Sequence, residues 1–97
     1  MKLEGKSALI TGSAQGIGQA IALRLAREGA DILIDDRPGN AGAAETQKEI
    51  EALGRKAVVL GGDLANTADD RRLIQQGVEA LGKIDILVNN AGVEKHA

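Results

Sequence analysis

Four short apolar runs punctuate the chain at Ala8–Thr11, Ile32–Asp35, Ala57–Leu60 and Ile84–Val88. Each is four or five residues long and largely uninterrupted by polar side chains, the pattern of parallel strands buried on both faces. Between them the periodicity changes from strand-like to helical. Ile17, Ala20, Ile21 and Leu25 follow the first run at helical spacing, and Ile74, Gly77, Val78 and Leu81 fall at i, i+3, i+4 and i+7 before the fourth. Gly29, Gly54 and Gly82 stand where these helices should stop. Asn66 or Thr67 is placed to cap the third helix, with Asp69 and Asp70 in its first turn, where the helix dipole favours negative charge. Strand and helix alternate in one α/β domain without a linker, a repeat or a low-complexity stretch, and Pro38-Gly39-Asn40-Ala41-Gly42 reads as a β–α loop.

The junction between the first strand and the first helix carries chemistry. Thr11-Gly12-Ser13-Ala14-Gln15-Gly16-Ile17-Gly18 spaces three glycines as G-x-x-x-G-x-G directly between an apolar run and a helical pattern. Gly12 lets the chain reverse without a Cβ clash, Gly16 allows backbone close to a ligand phosphate, and Gly18 lets the helix pack close to the strand. Unpaired N–H groups and partial positive charge at the helix start favour a pyrophosphate. Asp36 ends the second apolar run 24 residues beyond Gly12, near the separation expected of a carboxylate that accepts hydrogen bonds from a ribose. Taken without the glycine turn, Asp35, Asp36 and Arg37 would be a solvated strand exit.

These segments resemble the short-chain dehydrogenase/reductase family. The resemblance covers the whole chain: Gly5 to Gly12 as first strand and turn, Gly62-Asp63-Leu64 after the third strand, and Asn89-Asn90-Ala91-Gly92 after the fourth. It implies a half Rossmann fold of four parallel strands in the order 3-2-1-4 with helices on both faces, residues 1–97 being the N-terminal dinucleotide-binding part of such a domain. It further implies a cofactor site made of Gly12, Ser13, Gln15, Gly16, Ile17, Gly18, Asp36, Arg37, Asp63, Leu64, Asn90, Ala91 and Gly92. Within that set Asp63 matches the residue that bonds the adenine amino group, and the Leu64 backbone supports the ring. Asn90, Ala91 and Gly92 match the segment along the cofactor, while Asn89 and Thr11 tie the central strands. An acid at Asp36 and a neutral Gln15 before Gly16 imply NAD over NADP, with Arg37 as the residue that works the other way.

The implied activity is an NAD(P)-dependent oxidoreductase interconverting an alcohol and a ketone by hydride transfer; the alternative is a stand-alone dinucleotide-binding or assembly module without turnover. The family's catalytic Ser, Tyr and Lys come after the segment where this chain stops. Its 97 residues contain no tyrosine, so no catalytic residue is assigned and the chain alone is expected to be inactive, a truncated, cofactor-binding half. Lys95 and His96 read as solvated groups on a terminal stretch.

Composition narrows the remaining classes. With 43% hydrophobic and 27% charged residues the chain is expected to be globular, and no apolar run is long enough to span a bilayer. The absence of cysteine rules out a disulfide framework, and the opening Met1-Lys2-Leu3-Glu4-Gly5-Lys6 lacks an apolar signal core, so a cytoplasmic location is expected. A formal charge of −2, Arg71-Arg72 as an isolated basic pair and no aromatic residue argue against nucleic-acid binding; no metal-ligand cluster is present. A fourth strand left as an open edge is expected to drive self-association or leave the monomer marginally stable.

Overall fold

The computed structural model describes residues 2–13, 16–36, 41–61 and 67–88. In chain order the elements are β1 (Ser7–Thr11), α1 (Gly16–Arg27), β2 (Asp31–Asp36), α2 (Ala41–Ala52), β3 (Ala57–Gly61), α3 (Thr67–Leu81) and β4 (Ile86–Val88). All strand pairings are parallel and the sheet order is β3-β2-β1-β4, the order that right-handed crossovers together with the family resemblance implied. The register sets Ile10 against both Ile34 and Val88, and Ile34 against Val59. β1 and β2 are therefore the central strands and are buried along almost their whole length.

Strand alternation divides the core into two layers. On one face Ala8, Ile10, Ile32 and Ile34 meet α1 and α2. On the other Leu9, Leu33 and Leu60 meet Leu81 and Ile84, the end of α3 and the chain that leaves it. In a chain without aromatic residues the first layer is built from alanine, isoleucine and leucine side chains. The buried stripe of α1 is Gly18, Ala22 and Ala26, with Ile21 and Leu25 at its flanks, whereas Ile17 and Ala20 are exposed. The expected stripe of large residues is thus rotated, because small residues at the centre of contact let the helix axis sit nearer the sheet.

The third helix differs from its apolar pattern for a related reason. Of Ile74, Gly77, Val78 and Leu81, only Gly77 is buried; Ile74 and Val78 are exposed. A Cβ at Gly77 would lie 2.6 Å from Leu33 Cδ1 and 3.1 Å from Ile84 Cδ1. At Gly77 the helix lies too close to Leu33 and Ile84 to admit a side chain, while Ile74 and Val78 lie away from that contact. The fourth strand is also shorter than its apolar run, since Ile84 packs under α3 and Asp85 is held in a separate clamp.

Both helices of the first layer end in hydrogen-bonded C-caps. At α1 the Gly29 N–H donates to Ala26 O and the Ala30 N–H to Leu25 O; at α2 the Gly54 N–H donates to Glu51 O and the Arg55 N–H to Ile50 O. These paired bonds are Schellman motifs, and φ of 104° at Gly29 and 82° at Gly54 explains the residue choice. Arg55 Nη1 joins the two caps by donating to Gly29 O at 3.2 Å.

Asp85 closes the base of the β1–β4 pair. Its Oδ2 accepts the Ser7 N–H at 2.9 Å and lies 3.2 Å from Lys83 Nζ, while its own N–H donates to Ser7 O at 2.8 Å. The Ser7 N–H, and after it Lys83, hold this carboxyl below its ordinary value of 3.8. Above that value the carboxylate is charged in both the folded and the unfolded chain and its contribution to stability is complete. On acidification the unfolded chain protonates first, and the contribution is lost as pH falls through the lower folded value. Urea melts taken between about pH 5 and 3 should show stability falling less steeply in Asp85→Asn than in the parent chain; equal slopes would remove Asp85 from the acid response.

Candidate dinucleotide site

The carboxyl ends of the strands form one rim of the sheet, and every segment singled out in the sequence starts there. Gly12 follows β1, Asp36 ends β2 in register with Gly61 of β3, and residues 62–64 and 89–92 follow β3 and β4 in the chain. Chain order runs outward from β1 through β2 to β3, then returns to the far side of β1 for β4. The reversal lies between β1 and β4, the position at which open parallel sheets leave a crevice for ligands.

At this rim the glycine turn is built by hydrogen bonds from three directions. Gly12 takes φ of 63° and Gly16 φ of 62°, left-handed conformations that disfavour any side chain. The Gly12 N–H donates to Asp35 O at 2.7 Å and the Ser13 N–H to the same oxygen at 3.3 Å, so the end of β2 anchors the turn. Ser13 Oγ donates to Ile10 O at 2.9 Å, and Thr46 Oγ1 of α2 donates to Ser13 O at 3.1 Å. Thr11 Oγ1 donates to Val88 O at 3.4 Å and ties β1 to β4 just below.

What the turn presents is the N-terminus of α1. A helix leaves its first N–H groups without intrahelical partners, and α1 opens on Gly16, Ile17 and Gly18 with no acidic side chain in that turn. Twelve residues of aligned peptide dipoles stand behind it, which favours a negatively charged group. Gly18 is buried at the start of the α1 contact stripe, while Gly16 and Ile17 are exposed toward the rim. Backbone amides at the end of a sheet, in a helix turn that carries two glycines and no carboxylate, suit a pyrophosphate.

The structure brings Gly12, Ser13, Gly16, Ile17 and Gly18 together, and places Asp36 on the neighbouring strand end. Gln15, Arg37, Asp63, Leu64, Asn90, Ala91 and Gly92 lie outside the described residues, as do Asn89, Lys95 and His96. Ser13 is a hub of the turn, 0% exposed, its hydroxyl bonded inward to β1. Asp35 is 3% exposed, so the strand exit is not solvated at that position. Two supports were missed in the sequence: the Asp35 carbonyl, which no side-chain pattern reveals, and Thr46. The latter has a signal, a polar residue on the helix stripe Ala43, Thr46, Ile50 that the fold buries. Among the described residues no group of His, Cys, Asp and Glu is placed to hold a metal ion, and no helix is long and apolar enough to cross a membrane.

Comparison with known proteins agrees with this geometry. The family model for short chain dehydrogenase matches residues 6–97. The short-chain dehydrogenase/reductase eriH of Hericium erinaceus is 46% identical over 89 residues, covering 89% of this chain and 35% of that protein. A short chain dehydrogenase from Burkholderia cenocepacia J2315, crystallised with NADP, superposes with a TM-score of 0.87 at 44% identity, covering 92% of this chain and 36% of the other. Carveol dehydrogenase from Mycobacterium avium, crystallised with NAD, gives 0.86 at 35% identity with coverage of 92% and 36%. The chain spans about a third of the length of the curated relatives it matches. With the matched segment running from the first strand through the glycine turn to the last residue, the chain belongs to the short chain dehydrogenase family.

Proposed function

We propose that this chain is the dinucleotide-binding portion of an NAD(P)-dependent oxidoreductase that acts on CH–OH groups, with NAD preferred over NADP. The observation that carries this reading is the clamped Gly12–Ser13 turn feeding an exposed, acid-free N-terminus of α1 at the strand-order reversal. Related proteins crystallised with NAD and with NADP support the cofactor class. Gly12, Gly16, Ile17 and Gly18 hold the pyrophosphate through backbone, with Ser13 shaping the turn beneath them and Gln15 beside it. Asp36 accepts from the adenosine ribose hydroxyls, and Arg37 flanks it. Asp63 and Leu64 serve the adenine, and Asn90, Ala91 and Gly92 run along the rest of the cofactor. Once bound, the nicotinamide supplies the hydride acceptor; these 97 residues, without a tyrosine, supply binding and orientation. The proposal extends to self-association through the outer edge of β4, where Leu87 is 59% exposed.

Calorimetric titration with the two cofactors tests this reading. A 2′-phosphate about 4 Å from a carboxylate meets repulsion of roughly 4 kcal/mol at an effective dielectric of 20, only part of which Arg37 offsets. NAD should bind tighter than NADP. Binding of neither would overturn the site, and tighter NADP binding would overturn the preference. In the same samples no alcohol should drive cofactor reduction, because the proton transfer that general acid–base catalysis accelerates by about 10²–10⁴-fold has no assigned group. The alternative, a stand-alone binding module, shares the titration result, and a catalytic half encoded in the same reading frame would exclude it.

A further inference from the structure

We propose that Thr46 is a positioning residue for the phosphate-binding turn: its hydroxyl reaches from α2 to hold the Ser13 carbonyl and so fixes Gly12 and Ser13 relative to the first turns of α1. The proposal rests on the reading of that turn as a pyrophosphate site.

Ser13 is bonded at each of its polar groups. Its N–H goes to Asp35 O, its Oγ to Ile10 O, and its carbonyl accepts from Thr46 Oγ1. Two of the three partners are strand backbone. Only Thr46 is a side chain, and it lies 33 residues away in sequence on another element. It is therefore a clamp on Ser13 that can be removed without altering the glycine segment or the strands. Thr46 is itself 0% exposed, between Ala43 and Ile50 on the buried stripe of α2. A hydroxyl there is costly to bury unless bonded, and an aliphatic residue would otherwise serve the stripe better.

Acceptors for the hydroxyl's single hydrogen among the described residues include Ser13 O at 3.1 Å and, one turn back in its own helix, Gly42 O at 3.0 Å. A helical threonine can satisfy itself with the second bond alone. Gln19 of α1 joins the same hydroxyl: its Nε2 donates to Thr46 Oγ1 at 3.0 Å and approaches Glu49 Oε2 at 3.5 Å. Donation into the oxygen strengthens the bond that its hydrogen makes. The chain Gln19–Thr46–Ser13 thus links the first turns of α1 to the loop that precedes it, by way of α2. Fixing that spacing preorganises the amides that meet a phosphate, so part of the ordering cost is met before binding.

The test compares the parent protein with Thr46→Val and Thr46→Ser, using NAD and adenosine as probes, by calorimetry for the first and ligand-observed NMR for the second. Thr46→Val keeps the shape and removes the hydroxyl; NAD binding should weaken about three- to tenfold, the net worth of one hydrogen bond. Adenosine, which has no phosphate, should bind both proteins alike, and Thr46→Ser should restore NAD binding to within about twofold, having kept the hydroxyl. Should Thr46→Val fail to fold, Gln19→Leu at the partly exposed end of the network serves instead, with an expected loss of about two- to threefold for NAD and none for adenosine. Unchanged NAD affinity in the variant, equal losses for both probes, or no rescue by serine would overturn the role of Thr46 while leaving the site intact. A parent protein that binds no NAD would instead overturn the reading of the turn itself.

Discussion

Gly12→Val is expected to abolish measurable NAD binding. Gly12 stands at φ of 63°, where a β-branched residue is a genuine outlier, and backbone strain of this kind costs on the order of 1–3 kcal/mol. Its N–H is committed at 2.7 Å to Asp35 O, so a shift in φ to relieve the strain breaks the anchor that sets the turn on β2. The Ser13 N–H shares that oxygen and is displaced with it. A valine side chain would also stand where backbone must approach the phosphates. Calorimetry should register no binding heat for the variant, with circular dichroism showing that the sheet and helices persist. Parent-like NAD affinity in Gly12→Val would remove the phosphate cradle from this turn.

The largest loss of stability is expected from Leu33→Ala. Leu33 is fully buried on β2, in register with Leu9 of β1 and Val58 of β3, and its Cδ1 fills the space that Gly77 leaves under α3. Truncation to alanine opens a cavity on the layer that α3 covers, at a cost of about 2–5 kcal/mol. A domain of this size has a total stability of about 5–15 kcal/mol, so thermal melting should fall by some 10 °C or more. Leu87→Ala on β4, at a position largely open to solvent, serves as the control when both variants are melted at a concentration that keeps the chain monomeric, and should then change stability by no more than about 0.5 kcal/mol. Equal shifts for the two variants would show that the lower layer is not a packed core.

The contrast between these two leucines shows where sequence reasoning reaches its limit. Both lie in apolar strand runs of similar composition, and nothing local separates them. Leu33 is central because β1 and β3 flank its strand, and Leu87 is open because β4 ends the described sheet. The same holds for α1 and α3. Hydrophobic spacing located both helices, while the fully buried positions include Gly18, Ala22 and Ala26 in one and Gly77 in the other, with half-buried Ile21, Leu25 and Leu81 packed beside them. Periodicity weights large apolar side chains, but close packing of a helix on a strand selects small ones at the point of contact.

At the candidate site the division is similar. Gly12 and Gly16 were legible because a left-handed backbone leaves few residue choices. The acid at Asp36 was legible because one β–α–β crossover fixes how far along the chain the second strand must end. The supports of the turn were not legible. Asp35 acts through its carbonyl, which every residue has, and Thr46 acts across 33 residues through a fold that had to exist first.

By itself, then, the sequence determined the alternation of strands and helices, the helix stops at Gly29, Gly54 and Gly82, and the glycine turn, since each arises from local conformational preference and short-range periodicity. Tertiary structure alone decided which strand faces are doubly covered, that Ser13 turns inward to brace the turn, and that Thr46, Gln19 and Asp85 join elements distant in the chain. Those outcomes depend on which surfaces the crossovers bring together, and pairwise contacts of that range leave no periodic trace in the order of residues.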